Sequence, residues 1–129
     1  MATFGKYESI PGLLAGESLA AKQYYVVKAA STAGEVVSGD TAATDPILGI
    51  VQNDPADGEP ADVAFLGICK AAAETGVTYG SSLTISATSR VTKTTTDGDR
   101  IVGIALEASS TAGDIIRVLL SGIHDRYVA

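Results

Sequence analysis

A chain of 129 residues is long enough for one compact domain and short for two. The net charge is −6 and the nine basic residues are scattered, which argues against a nucleic-acid binder because such proteins need a basic patch. One cysteine excludes an internal disulfide, and no apolar run reaches the roughly 18 residues of a membrane span. The N-terminus has no apolar run behind basic residues, so we expect no secretory signal and synthesis in a reducing cytoplasm.

Small residues dominate the composition. Ala, Gly, Ser and Thr make up nearly half of the chain, Trp is absent, and there are only two Phe and five Tyr. Alanine buries little apolar surface, so a core of Ala and Val gains less free energy per residue than a core of Leu and Phe. We therefore expect the domain to gain stability by burying surface against copies of itself or against another partner.

The N-terminal segment, residues 1–22, is predicted to form an extended arm outside the main domain. It contains the only plausible helix, at residues 13–23, which Gly16 interrupts. Its large apolar residues, and a proline that fixes an extended turn, are Phe4, Tyr7, Ile10, Pro11, Leu13 and Leu14. The sequence leaves open whether this arm packs back on the domain or reaches onto a partner.

The remainder, residues 23–129, is predicted to form a single β domain. Segments rich in Val, Ile, Tyr and Thr, several with alternating apolar and polar residues, predict strands at 23–29, 62–68, 82–87, 90–95 and 115–123. Segments rich in Gly, Pro, Asp, Ser and Thr separate them. Strands at intervals of about 8 to 12 residues are typical of a β-sandwich or small barrel, so the predicted fold class is all-β.

One apolar stretch occurs twice. DPILGIVQ, residues 45–52, recurs as DRIVGIAL at residues 99–106. Similarity on both sides extends the match to two related units, residues 35–68 and 89–123. Two copies are too few for a solenoid, but they suit a barrel or sandwich built from two related β modules.

Each unit has a glycine at the centre of its apolar strand. In the aligned units Gly49 lies opposite Gly103, and Val37 lies opposite Val91. A glycine inside a strand often marks a bulge, a bend or a close approach of another backbone. Because the glycine recurs, we expect the strands to bend at Gly49 and Gly103 around a small core.

Few residues could carry out chemistry. Cys69 lies among strand-forming residues and is predicted to be buried and inert, and His124 follows the last strand and is predicted to lie at the surface or an interface. No Cys/His spacing suits zinc, and no glycine-rich phosphate-binding motif is present. The acidic loop at residues 54–62 contains two prolines and lacks EF-hand spacing, which favours a solvated turn over a calcium site. We predict no metal and no cofactor.

One motif suggests an enzyme. GESLA, residues 16–20, nearly matches the GxSxG nucleophile elbow, and Ser18 precedes His124 as in the triad order of that fold. The elbow needs a strand before it and a helix after it, and this β-rich sequence offers no crossover helices. A small hydrolase using Ser18 is therefore a remote alternative, and we predict that the protein is not an enzyme.

The segment RVTKTTTDGDRIVGIALEASSTAGDIIRVLLSGI, residues 90–123, resembles the C-terminal half of small tailed-phage capsid cement (head decoration) proteins. In that family a strand like KVT precedes a Thr-rich turn, an IG strand, a Glu-Ala segment, a Gly-Asp turn and a final strand. The first half, from VVSGD at 36–40 to GICKAAA at 67–73, is similar to the family's first half. The resemblance covers about residues 35–121, and the apolar N-terminal arm departs from it.

The resemblance implies a compact β protein, usually a homotrimer, that sits on the outside of an icosahedral shell at three-fold or quasi-three-fold positions and stabilises it. The implied partners are the major capsid protein and further copies of the chain, without nucleic acid or membrane. The implied location is the capsid exterior of the virion, after synthesis in the host cytoplasm.

The arm is then the candidate contact with the capsid or with a neighbouring subunit. The residues that we assign to this contact are Phe4, Tyr7, Ile10, Pro11, Leu13 and Leu14. The alternative function is another structural module of the virion, such as a tail or fibre-base protein.

Overall fold

The computed structural model describes residues 6–42 and 44–121, and within these ranges the chain is all-β. The strands are β1 (Tyr7–Ser9), β2 (Leu14–Ala15), β3 (Val26–Ala29), β4 (Glu35–Ser38), β5 (Ile47–Val51), β6 (Val63–Ala73), β7 (Ser82–Ile85), β8 (Val91–Lys93), β9 (Gly103–Ala105) and β10 (Asp114–Ser121). The described residues contain no helix, and hence none that could cross a membrane. The predicted all-β fold with a small barrel is confirmed.

No helix forms at residues 13–23, the one segment whose sequence made a helix plausible. Leu14 and Ala15 form β2, and the residues from Gly16 to β3 form bends and turns. The backbone N–H of Ala15 donates to the carbonyl of Glu59, and that of Gly16 donates to the carbonyl of Val36. Hydrogen bonds to distant segments thus satisfy this backbone, and they override a weak local preference for helix.

Five strands form a closed barrel, which we call the second module. They pair in the order β6, β8, β7, β9, β10, and β10 returns to pair with β6 from Asp114–Ala73 to Ser121–Leu66. Buried side chains of the main core lie on these strands, among them Leu83, Val91 and Val118. Closure leaves these strands without the unpaired edges that would promote aggregation.

A similar ring, which we call the first module, is built from β2, β4, β3, β5 and the start of β6. β2 pairs in parallel with β4, as β6 pairs in parallel with β8. The carbonyl of Ala15 on β2 accepts from Gly58, as the carbonyl of Ala73 on β6 accepts from Gly113. A separate core fills this module, with the buried residues Ala15, Leu19, Val27, Val36, Val51, Ala61 and Val63.

The strands of the two modules pair in the same register. The Cα partners are Val26–Ile50 and Ile50–Ala64 in the first module, and Ser82–Ile104 and Ile104–Leu119 in the second. The long strand β6 belongs to both modules, because its beginning pairs with β5 and its remainder pairs with β10. The chain therefore folds as two modules of one plan joined through a shared strand.

Strand register corrects one detail of the sequence alignment. Ala29 pairs with Val36 in the first module where Ile85 pairs with Val91 in the second. Val36, and not Val37, therefore corresponds to Val91. The difference arises because the first module has one more residue between this strand and the next.

Candidate docking surfaces

Residues Tyr7–Ser9 of the N-terminal arm lie along the shared strand β6. β1 pairs antiparallel with β6, with Tyr7 opposite Gly67. The Tyr7 hydroxyl donates a hydrogen bond of 2.7 Å to Oδ2 of Asp62, in the loop before β6. Burial, and then the Asp62 carboxylate, raises the pKa of Tyr7 to about 12. The ring packs against the main core, so this part of the arm is attached to its own domain.

The rest of the arm has an inner and an outer side. Ile10 and Leu13 are half-buried and pack against the core of the first module. Pro11 and Leu14 point to solvent, and Leu14 is 41% exposed. Of the six arm residues assigned from the sequence, Phe4 lies outside the described residues. Whether the arm contacts a capsid or a neighbouring subunit stays a prediction.

A second apolar surface lies on the outside of the second module, and we call it the barrel face. Ile104, Leu119 and Ile68 are Cα partners across β9, β10 and β6, and Leu66 is the next outward residue on β6. Ile104 is 42% exposed and Leu119 and Leu66 are each 41% exposed. Exposed apolar residues that cluster in this way mark interaction sites more often than scattered ones do.

Charged residues border the barrel face at both ends, and at one end Glu8 of β1 is the Cα partner of Leu66. Arg117 and Lys70 are Cα partners in the next outward row across β10 and β6. Nε of Arg117 lies 3.5 Å from Oε1 of Glu107, and Lys70 lies 5.7 Å from the centre of the Tyr24 ring. The charges therefore lie beside the apolar row and not within it.

Sequence reasoning missed the barrel face, although a signal was present. Residues 115–120 read IIRVLL. Ile116, Val118 and Leu120 point inward and are buried, while Ile115 and Leu119 point outward and are exposed. A strand with solvent on one side should alternate strictly, so apolar residues at outward positions indicated a second contact.

Two buried or half-buried carboxylates organise loops. Asp45 accepts backbone hydrogen bonds of 2.7 and 2.8 Å from Asp40 and Thr41, and Nζ of Lys28 lies 3.2 Å away. Burial alone would raise the pKa of Asp45, but the two N–H donors and the Lys28 ammonium outweigh it and hold that pKa below its usual value. All of these partners lie within the first module, which assigns Asp45 a structural role.

Glu74 plays a comparable part in the second module. The hydroxyls of Thr88 and Ser86 donate to its carboxylate, and Nη1 of Arg90 lies 3.3 Å away. The two hydroxyls are the largest cause of its lowered pKa, and burial opposes them while Arg90 adds to them. These contacts join the end of β6 to the turn between β7 and β8.

The candidates for chemistry do not come together. Cys69 is buried in the main core, as predicted, and burial raises the pKa of its thiol to about 12. Ser18 is exposed within bends, where the nucleophile elbow would need a helix, and His124 lies outside the described residues. Among residues 6–42 and 44–121, no group of three His, Cys, Asp or Glu side chains is arranged to hold a metal.

Gly49 and Gly103 both lie against the backbone of the neighbouring strand. A Cβ on Gly49 would overlap the carbonyl oxygen of Ala64 and lie 3.0 Å from Cγ1 of Val63. A Cβ on Gly103 would overlap the carbonyl oxygen of Leu119 in the same way. A close approach of the partner strand thus requires glycine at both sites. The predicted strand bends at these positions stay predictions.

Comparisons with known proteins were made for sequence and for fold. A family model described as phage cement protein matches residues 21–120. Among solved structures, the chain is similar to the protein titled "head fiber gp8.5 N base in bacteriophage phi29", with a TM-score of 0.62 and 16% identity over 93% of this chain and 97% of that chain. At this identity the likeness shows a shared fold. No curated protein matches the chain.

Proposed function

The chain belongs to the phage cement protein family, and from this membership we propose that it decorates the outer surface of an icosahedral phage head and stabilises the shell. The family is one of phage structural proteins, so the chain is a component of the virion. The observation that carries the proposal is the extent of the match, because residues 21–120 take in most of both modules.

The proposed partners are the major capsid protein and two further copies of the chain. As a homotrimer at three-fold or quasi-three-fold positions, the protein presents three identical contacts to the shell. Three linked contacts give avidity, so each one can be weak. The protein acts by binding and not by catalysis, and the scattered placement of Ser18 and Cys69 supports this reading.

We assign the shell contact to the outer side of the arm. Pro11 and Leu14 are exposed, and Leu14 lies in the strand β2, which is anchored on both sides. Leu14 donates its N–H to Gly34, and Ala15 donates to Glu59. A rigidly held apolar side chain loses little entropy on binding, which favours it as an anchor.

Binding to expanded empty heads tests the proposal. The wild-type protein should pellet with the heads, saturate at a fixed number of copies per shell and raise the temperature at which the shell breaks. Leu14→Lys should weaken this binding at least about tenfold, since it places a charge in an apolar contact that becomes buried when the protein binds the shell. Tyr79→Lys is a matched control, because Tyr79 is an exposed apolar residue in a loop of the second module. Absence of binding by wild type would overturn the proposal.

A second candidate is the base of a head fibre. The fold match to the fibre base extends over nearly the whole of both chains, which supports this alternative. Electron microscopy of decorated heads separates the two. A decoration protein ends at the density of its two modules, whereas a fibre base carries further density that extends outward. A tail module would instead pellet with tails and leave empty heads bare.

A further inference from the structure

The two modules present equivalent rows of side chains on their outer surfaces. The register places each row across three neighbouring strands, at positions Val26–Ile50–Ala64 in the first module and Ser82–Ile104–Leu119 in the second. The inward neighbours match as well, since Val27 and Leu83 are both fully buried in their own modules. The two outer rows therefore occupy equivalent positions in their modules.

In the first module this row is covered by the chain itself. Val26, Ile50 and Ala64 each have no exposed surface. They do not belong to the core of their own module but to the main core, which contains the interior residues of the second module. The outer face of one module is thus the surface on which the other module packs.

In the second module the equivalent row is open. Ile104 is 42% exposed and Leu119 is 41% exposed, and Leu66 and Ile68 continue the apolar surface on β6. A surface that water always covers has no need of branched aliphatic side chains at these positions. Ser82 stands where the covered row has Val26, but Ile104 and Leu119 keep the apolar character of Ile50 and Ala64, so this part of the row suits a protein surface of the same kind.

Charge favours another copy of this chain as the occupant. The chain has a net charge of −6, so two copies repel each other wherever their acidic surfaces meet. The four residues of the barrel face are uncharged, with the acidic Glu8 opposite Leu66 at one end and the basic Arg117 and Lys70 in the next row at the other. This face is therefore a place where two copies can approach without burying like charges.

We propose that the barrel face is the contact between copies of the chain, and that second modules meet there around the three-fold axis through Leu66, Ile68, Ile104 and Leu119. This inference deepens the proposed homotrimer and depends on it only for the number of copies. The contact between copies covers the outer row of the second module, as packing on the second module covers the outer row of the first.

Mass measurements in solution provide the first test. Sedimentation equilibrium of the wild-type chain at tens of micromolar should give three times the chain mass of 13.1 kDa. Leu119→Lys should raise the dissociation constant at least about 100-fold and give the monomer mass. Ile104→Thr is a milder variant that keeps a β-branched residue in β9, and it should weaken the trimer without disturbing the strand. Circular dichroism verifies that both variants are folded.

Tyr79→Ser is the matched control, because it removes an apolar side chain that is 76% exposed elsewhere on the same module. It should keep the wild-type mass. Leu14→Lys, which alters the proposed shell contact, should also keep the wild-type mass but should bind heads less tightly. A wild-type trimer that fails to bind heads would refute the proposed function and leave this inference standing. A folded Leu119→Lys that retains the trimer mass would overturn the inference.

Cross-linking on heads tests the case in which the copies associate only after they bind the head. Ile104→Cys should form disulfide-linked copies on decorated heads, whereas Tyr79→Cys should not, and the native Cys69 is buried. A wild-type monomer in solution, together with no cross-link through position 104 on heads, overturns the inference. Loss of head binding by Leu119→Lys would then indicate that the capsid protein covers the face. The other alternative is that the last residues of the chain cover it.

Discussion

Replacing Gly49 with alanine tests how closely β5 and β6 approach each other. The added Cβ would overlap the carbonyl oxygen of Ala64 and would lie only 3.0 Å from the Val63 side chain. Real Cβ atoms essentially never lie closer than 3.0 Å to another heavy atom. The overlapping atom belongs to backbone, so it cannot turn away as the end of a flexible side chain can. The two strands must separate locally.

The expected cost follows from that separation. Forcing an extra carbon into packed structure costs about 1–3 kcal/mol, and weakening one strand hydrogen bond adds about 1 kcal/mol. Alanine restricts the unfolded chain more than glycine does, which returns about 0.4–1 kcal/mol. The net expectation for Gly49→Ala is a loss of about 1–3.5 kcal/mol, with a central value of about 2 kcal/mol. Gly103→Ala should behave alike, because its Cβ would meet the carbonyl of Leu119.

Urea denaturation followed by circular dichroism measures this loss as a lower midpoint at unchanged slope. Gly98→Ala is the control, because Gly98 has a φ of +92° with open space around its Cβ position. It should lose only the roughly 1 kcal/mol that the left-handed conformation costs an alanine. If Gly49→Ala lost no more stability than Gly98→Ala, the close approach of β5 and β6 would be refuted.

Three further predictions concern single side chains. Asp45→Asn should lower the free energy of unfolding by about 1–3 kcal/mol at pH 7. Because folding lowers the pKa of Asp45, its stabilisation is present above the unfolded value near 3.9 and is lost as the pH falls through the folded one. Urea titrations should therefore show a larger difference between wild type and variant at pH 7 than at pH 3. The Cys69 thiol, with a pKa of about 12, should react with a disulfide reagent at pH 8 only after unfolding, and fast reaction of the native protein would contradict this. Tyr7→Phe should cost about 1 kcal/mol and remove the tyrosine that ionises near pH 12 in an alkaline absorbance titration, and loss of a tyrosine that ionises at about pH 10 instead would show that Asp62 does not hold the arm.

The strands that the sequence predicted are those with strong local patterns. β10 is the clearest case, because Ile116, Val118 and Leu120 alternate and all three are buried. The end of β6 was less predictable, since the predicted strand stops at Ile68 and the real one continues to Ala73. Alanine has a weak preference for strands, but its small side chain fits between closely paired neighbours. Position in the barrel, and not local preference, made this segment a strand.

The two strands of the arm could not be predicted. β1 and β2 have three and two residues, too few for an alternating pattern, and Pro11 and Gly12 separate them. Their backbone groups pair with β6, β4 and the loop before β6, which are distant in sequence. The tertiary structure supplies these pairing partners, so the sequence of the arm showed only a group of apolar side chains without an identifiable contact. The structure uses Tyr7, Ile10 and Leu13 for a contact within the chain.

A duplicated fold concentrates functional information in the positions where its two copies differ. The shared register explains the similar positions, such as Gly49 and Gly103, by one structural requirement. The outer rows differ in burial although Ile104 and Leu119 are as apolar as Ile50 and Ala64, and no requirement within a single module explains an exposed Ile104 beside an exposed Leu119. The first module covers its row by packing on the second, and the described residues contain no further module that could cover the row of the second. In the assembly that we propose, a neighbouring copy supplies the missing surface, which would link the duplication in the sequence to assembly on the phage head.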